Sequence, residues 1–193
     1  VFYTDSINTV IAIMGLYTVN VAVATGLTQD AGEEQAKYIL LTAITFAVVG
    51  GFAWGWLVVR IGPKRTLMWV LYCWIPIFLA AAGVGILRLP PRALYAVPCP
   101  AVFALAGIWA PDRPLMLRLT PPSRIGEFYG LYGMVGRFSA ITGPLVWAGV
   151  AYITLDLMNL RPELGQGIGV LILLSLVLLS YAILRPVSDT PRE

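Results

Sequence analysis

Three charged side chains lie inside stretches apolar enough to sit in hydrocarbon. Asp112 and Arg113 fall in the run that begins at Gly107, and Arg137 falls in the next run, before Pro144. A charge at the centre of a bilayer costs about 3 kcal/mol or more, so such residues face a bundle interior and keep a partner. Asp5 and Asn8 are three residues apart, which puts them on one helix face near the start of the first apolar segment. The expected arrangement is a buried network in the inner half of the bilayer, with Asp5 and Asp112 neutralising Arg113 and Arg137. In one version this network binds an anionic group or relays protons. In the other it pins the first, fourth and fifth helices, and breaking such a buried pair costs about 3–5 kcal/mol.

Composition sets the solvent. Of 193 residues, 59% are hydrophobic and 12% charged, and the mean hydropathy is +0.81. Soluble domains are about 45–50% apolar and roughly 25% charged, so this is an integral membrane protein whose first partner is the lipid bilayer. The chain has no histidine, which removes the commonest proton switch, metal ligand and haem ligand. Cys73 and Cys99 both lie in apolar segments and read as small buried side chains rather than a disulfide or metal pair. There is no nucleotide-binding loop, metal-ligand cluster or hydrolytic triad. The expectation is therefore no enzyme, no metal and no cofactor. The basic residues are few and cluster at helix ends, so nucleic acid is not expected as a partner. The opening run Val1–Asp5 has no signal peptide pattern and reads as a helix already begun, which is expected of a fragment, a processed product or the ordered part of something longer.

A spanning helix takes about 20 mostly apolar residues. Six segments qualify: Ser6–Leu27, Tyr38–Val59, Thr66–Leu87, Ala93–Leu119, Glu127–Ile153 and Gly167–Leu184. Between them the sequence predicts an acidic loop (Thr28–Lys37), a tight basic loop (Arg60–Arg65), a proline-rich turn (Arg88–Arg92), the turn Thr120–Arg124 and a mixed loop carrying Asp156, Arg161 and Glu163. The predicted fold is an all-α integral membrane bundle of six transmembrane helices over residues 1–184, followed by a polar cytoplasmic tail, 185–193. Arg60, Lys64, Arg65, Arg118, Arg124, Arg185 and Arg192 collect at alternate ends and outnumber Lys37, Arg88, Arg92 and Arg161 opposite. Positive charge marks the cytoplasmic side, which predicts that both termini are cytoplasmic.

Lipid supplies no hydrophobic drive for helix association, so contacts are expected at small residues. The second segment offers Gly51 and Gly55; the fifth offers Gly126, Gly130, Gly133, Gly136, Ala140 and Gly143. Pro98, Pro100, Pro111 and Pro114 each remove a backbone donor and are expected to kink the fourth helix. Trp56 and Trp69 suit an interfacial belt beside the basic loop, while Trp54, Trp74, Trp109 and Trp147 read as packing or lipid-facing residues.

The order Gly55-x-Leu57-x-x-Arg60-x-Gly62-x-Lys64-Arg65 resembles the loop signature of the major facilitator superfamily. Thr4–Thr9, this loop, and the run from Arg113 through Arg118-Leu119-Thr120-Pro121-Pro122, Glu127–Tyr132 and Gly136-Arg137 to Gly143-Pro144 follow in one order. Together they resemble the C-terminal six-helix half of the vacuolar-effluxer-like branch of that superfamily. The resemblance implies half of a twelve-helix transporter, with amino-acid efflux as the activity. It also implies a gating role for Gly55, Arg60, Gly62, Lys64 and Arg65. Two departures stand out. Val58 and Val59 occupy the place where the family carries an acid, and Trp109 replaces a polar amide.

Two readings follow from different classes. In the first, the chain is a transporter half that works by alternating access with an N-terminal half, a partner membrane subunit or a second copy. Its path residues are then Asn8, Trp109, Asp112 and Arg113. In the second, it is a non-transporting accessory or assembly subunit of a larger membrane complex, photosynthetic or respiratory for example, docked by its small-residue faces.

Overall fold

A computed structural model describes residues 3–10, 28–87, 97–159 and 161–187, with Val19 and Val23. The described residues are all-helical. We number the helices α1 (residues 3–10 as described), α2 (Gln29–Ile61), α3 (Pro63–Leu87), α4 (Pro98–Leu119), α5 (Ile125–Tyr152) and α6 (Pro162–Leu184). The predicted turn Arg88–Arg92, the rest of the first segment and the tail beyond Val187 lie outside the described residues.

The acidic stretch expected as a loop is the first two turns of α2. Thr28 caps the helix by accepting from the Ala31 amide at 3.4 Å, and Asp30 stands in the first turn, where the helix dipole favours negative charge. Gln29 donates to Glu33, and Tyr38 donates to Glu34, each at 3.4 Å along one helix face. These local bonds carry the helix nine residues beyond its apolar part, to Gln29 instead of Tyr38.

The basic loop is also shorter than expected. Arg60 is in the last turn of α2, and Lys64 and Arg65 are in the first turn of α3. Gly62 alone joins the two helices, at φ 87°, a conformation only glycine adopts without strain. Its amide closes α2 on the Val58 carbonyl at 3.0 Å. Pro63 opens α3, where its missing N–H costs nothing. Pro98 likewise opens α4 rather than kinking it, which leaves Pro111 and Pro114 as the breaks inside that helix. The mixed loop after α5 starts as a π-helical turn, Ile153–Leu157.

Four described helices are long and apolar enough to cross a membrane: Gln29–Ile61, Pro63–Gly83, Pro122–Leu157 and Leu164–Leu184. This meets the expectation of six in part. α4 has the length but falls short in apolarity, because Asp112 and Arg113 interrupt it between two prolines. α1 is described over too few residues to qualify.

The core lies where α3 meets α4 and α6. Trp74, Phe78, Leu67, Val70 and Leu71 of α3 are fully buried with Ala104 and Ile108 of α4 and Leu173 and Val177 of α6. Trp54, on α2, is buried and donates its indole N–H to the Phe103 carbonyl at 3.0 Å. The close approach of α2 to α4 is made by Gly50, not by the predicted Gly51 and Gly55. A Cβ on Gly50 would come within 2.7 Å of the Phe103 carbonyl oxygen, while nothing lies within 4 Å of the other two. On α5 only Gly143 of the predicted small face is used. A Cβ there would meet Thr9 Oγ1 at 2.1 Å and the Asp5 carbonyl at 2.5 Å.

Overpacking a tight contact costs about 1–3 kcal/mol, and a main-chain carbonyl cannot swing aside. Gly143→Ala is therefore expected to lower the thermal unfolding midpoint of the purified full-length protein. Gly83→Ala, where nothing lies within 4 Å, is expected to leave it unchanged or raise it slightly. Equal midpoints for the two variants would refute the α1–α5 contact.

Candidate functional site

The site is built where α1, α4 and α5 converge. Asp112 sits between Pro111 and Pro114, in the stretch of α4 where two backbone donors are missing. Its carboxylate is held by two hydroxyls from neighbouring helices. Tyr3 on α1 donates to Oδ1 and Tyr132 on α5 donates to Oδ2, each at 2.5 Å. All three side chains are half-buried. A second set of bonds runs along the α1–α5 seam. Thr142 donates to Asp5 Oδ1 at 2.9 Å, and Asn8 Nδ2 donates to Ser139 Oγ at 3.3 Å. Ser6 ties α1 to α6 through the Leu173 carbonyl at 3.1 Å.

The sequence paired these acids with arginines. The structure does not. Among the described residues, no ion pair joins Asp5 or Asp112 to Arg113 or Arg137. Arg113 follows Asp112 and is exposed, within electrostatic reach of the Tyr132 hydroxyl. Arg137 is exposed too. With 3.6 residues per turn it falls roughly opposite the stripe Tyr132, Gly136, Ser139 and Gly143 that α5 turns inward. The physical reason is that two neutral hydroxyls already satisfy the half-buried carboxylate, so Arg113 reaches the Tyr132 hydroxyl without pairing directly with Asp112.

A cavity of about 290 Å³ opens beside the clasp. Asn8, Trp109 and Asp112 line it with Tyr3 and Tyr132, so the structure gathers three of the six predicted candidates around one space. Asp5 is buried at 8% exposure, and Asp5, Arg113 and Arg137 do not line the cavity. Trp109 is 62% exposed, with Gly133 and Gly136 in the wall it shares. A second cavity of about 300 Å³ is lined by Leu115, Met116, Leu119, Thr120 and Phe128 together with Tyr3 and Asp112. Tyr3 and Asp112 of the clasp thus border both spaces.

Sequence reasoning missed Tyr3, Tyr132, Ser139 and Thr142. A signal for two of them was present. Tyr132, Gly136, Ser139 and Gly143 recur at i, i+4, i+7 and i+11, one inward stripe of α5. Read as a stripe, it names a tyrosine and a serine as inward polar groups.

The predicted gating residues lie in the C-terminal part of α2 and the first turn of α3, with Gly62 between them. Lys64 Nζ donates to the Arg185 carbonyl at 3.1 Å and to the Val187 carbonyl, and so closes the C-terminus of α6. Arg60 lies over the Trp56 ring, 4.8 Å from its centroid. Arg65 borders a surface opening with Trp69, Tyr72 and Tyr181. Gly55 has open space around it.

Long apolar helices thus surround an acidic, aromatic cavity. The family model of the Major Facilitator Superfamily matches residues 6–193, and the chain belongs to that superfamily. It is similar to an uncharacterized MFS-type transporter, YxiO, of Bacillus subtilis (strain 168), at 24% identity over 155 residues. That match covers 79% of this chain and 33% of the relative, so the chain spans about a third of that relative's length. No solved structure matches.

The two tyrosine bonds make Asp112 the costliest of the charged residues to replace. Asp112→Leu leaves two hydroxyls without an acceptor and is expected to destabilise the full-length protein by about 1–3 kcal/mol. Arg137→Met, on an exposed face, is expected to stay within about 0.5 kcal/mol of the unaltered protein. Unfolding midpoints in mixed micelles check the order. A larger loss for Arg137→Met would restore the arginine network.

Proposed function

We propose that this chain is the second six-helix bundle of a Major Facilitator Superfamily transporter of the vacuolar amino-acid-effluxer-like type. It moves small amphipathic solutes, amino acids among them, by rocking against a first six-helix bundle. That bundle is an N-terminal half, a partner membrane subunit or a second copy. The observation that carries this reading is the unfilled small-residue surface. Gly51 and Gly55 of α2 and Gly126, Gly130, Gly133 and Gly136 of α5 have nothing within 4 Å. Membrane helices associate through such faces, and superfamily transport moves one bundle against another around a site near the midplane. The cavity beside Asp112 borders two of these glycines, Gly133 and Gly136, so a second bundle seated on α5 would close it.

In this reading Asn8, Trp109, Asp112 and Arg113 form the solute path, with Asp5 and Arg137 flanking it. Gly55, Arg60, Gly62, Lys64 and Arg65 form the gating loop. The absent loop acid, replaced by Val58 and Val59, shifts that gate's closing contact to the bond between Lys64 and the end of α6. The same bond brings Lys64 and Arg185 to one end of the bundle, which supports a cytoplasmic placement of both termini.

The test is solute exchange by the full-length protein in liposomes. Counterflow of a labelled neutral amino acid is expected to saturate, and to fall by about tenfold or more in Asp112→Asn and in Arg113→Gln, the loss of roughly one good transition-state contact. Gly130→Leu, which fills the proposed docking face, is expected to abolish exchange. A monodisperse protein that exchanges no amino acid and co-purifies in a large complex would contradict transport and favour the accessory role.

A further inference from the structure

The cavity beside the clasp has a one-sided chemistry. Among the residues that line it, Asp112 alone carries a formal charge, and Tyr3, Trp109 and Tyr132 supply aromatic surface. Arg113 acts on the Tyr132 hydroxyl from outside the cavity, and neither it nor Arg137 lines the space. An ionised carboxylate has about four acceptor positions, and the two tyrosine hydroxyls occupy two of them. The remaining lone pairs are held in a fixed direction by donors from two different helices. Asn8 is oriented as well. Its amide nitrogen is engaged by Ser139, which leaves its carbonyl oxygen as the group that accepts. Trp109 lines the same space and is largely uncovered. Indole faces attract ammonium groups through the ring quadrupole.

We propose that this cavity binds the ammonium group of a small amine with an apolar body. Asp112 is its counter-ion, the Asn8 carbonyl accepts one N–H, and Trp109 covers the cation. At about 290 Å³ the space is at the lower end of small-molecule sites, which limits the ligand to a few more atoms than the ammonium and one ring. The tyrosines act as positioning residues. Each fixes one carboxylate oxygen, and the ligand meets Asp112 without displacing either. This deepens the transport reading, since it rests on the cavity being the place where the solute sits and names the charge the solute carries there.

The test uses three probes of one shape on the full-length protein in lipid nanodiscs: phenethylammonium, uncharged phenethyl alcohol and anionic phenylacetate. Calorimetric titration is expected to give saturable binding of phenethylammonium about tenfold or more tighter than either of the others, a difference of one decade in Kd. Asp112→Asn is expected to erase that preference, and Trp109→Leu to weaken phenethylammonium binding while leaving the alcohol little changed. Equal affinity for amine and alcohol, a preference for phenylacetate, or a preference that survives in a folded Asp112→Asn protein would each overturn the proposal. The probe series on the unaltered protein decides the matter even where the Asp112 variant fails to fold. Amine preference without amino-acid exchange would uphold this site and remove the transport reading; exchange without amine preference would do the reverse.

Discussion

A carboxylate placed in an apolar helix sets the terms for the rest of this bundle. Asp112 interrupts α4 between two prolines, and lipid offers no solvation for it. Two tyrosine hydroxyls meet that cost, one from α1 and one from α5. Because the two donors come from different helices, satisfying the charge also fixes where those helices sit. The seam then continues by smaller means. Asp5 takes a threonine hydroxyl, Asn8 gives to a serine, and Gly143 lets the α5 backbone lie against Thr9. Polar contacts of this kind are individually modest in membranes, about 0.6 kcal/mol on average and at most about 1.7. It is their number along one seam that positions α1 between α4, α5 and α6.

The opposite sides of α2 and α5 have no such partners. Their glycines face open space, and large apolar side chains such as Phe52, Phe138 and Ile141 are exposed there. One bundle therefore has a fixed interior seam and an unfilled small-residue surface. Tyr3 and Asp112 border both cavities, so a change in their bond changes both the packing of α1 and the walls of those spaces. Packing and the proposed solute path depend on the same three side chains.

Much of this was legible in the sequence. The apolar segments gave the helices, and the charges within them pointed to α4 and α5. Asn8, Trp109 and Asp112 do share a space. What was not legible has identifiable causes. Charge arithmetic pairs acids with arginines, but neutral donors satisfy a half-buried carboxylate equally well, and tyrosines carry no charge to count. Hydropathy ends α2 at Tyr38, whereas a threonine cap and side-chain bonds extend it to Gln29. Small-residue spacing marks Gly51 and Gly55, yet Gly50 makes the contact. One position is 100° of helix rotation, and the sequence does not record which side α4 approaches.

The central claim is that Asp112 binds both tyrosines and through them holds α1 and α5 to α4. A double-mutant cycle on the full-length protein measures it directly, using Asp112→Asn, Tyr3→Phe, Tyr132→Phe and their combinations in reversible unfolding. The account predicts coupling of about 0.6–1.7 kcal/mol between Asp112 and each tyrosine, the range of hydrogen bonds within membranes. Additive effects, with no coupling to either tyrosine, would contradict it.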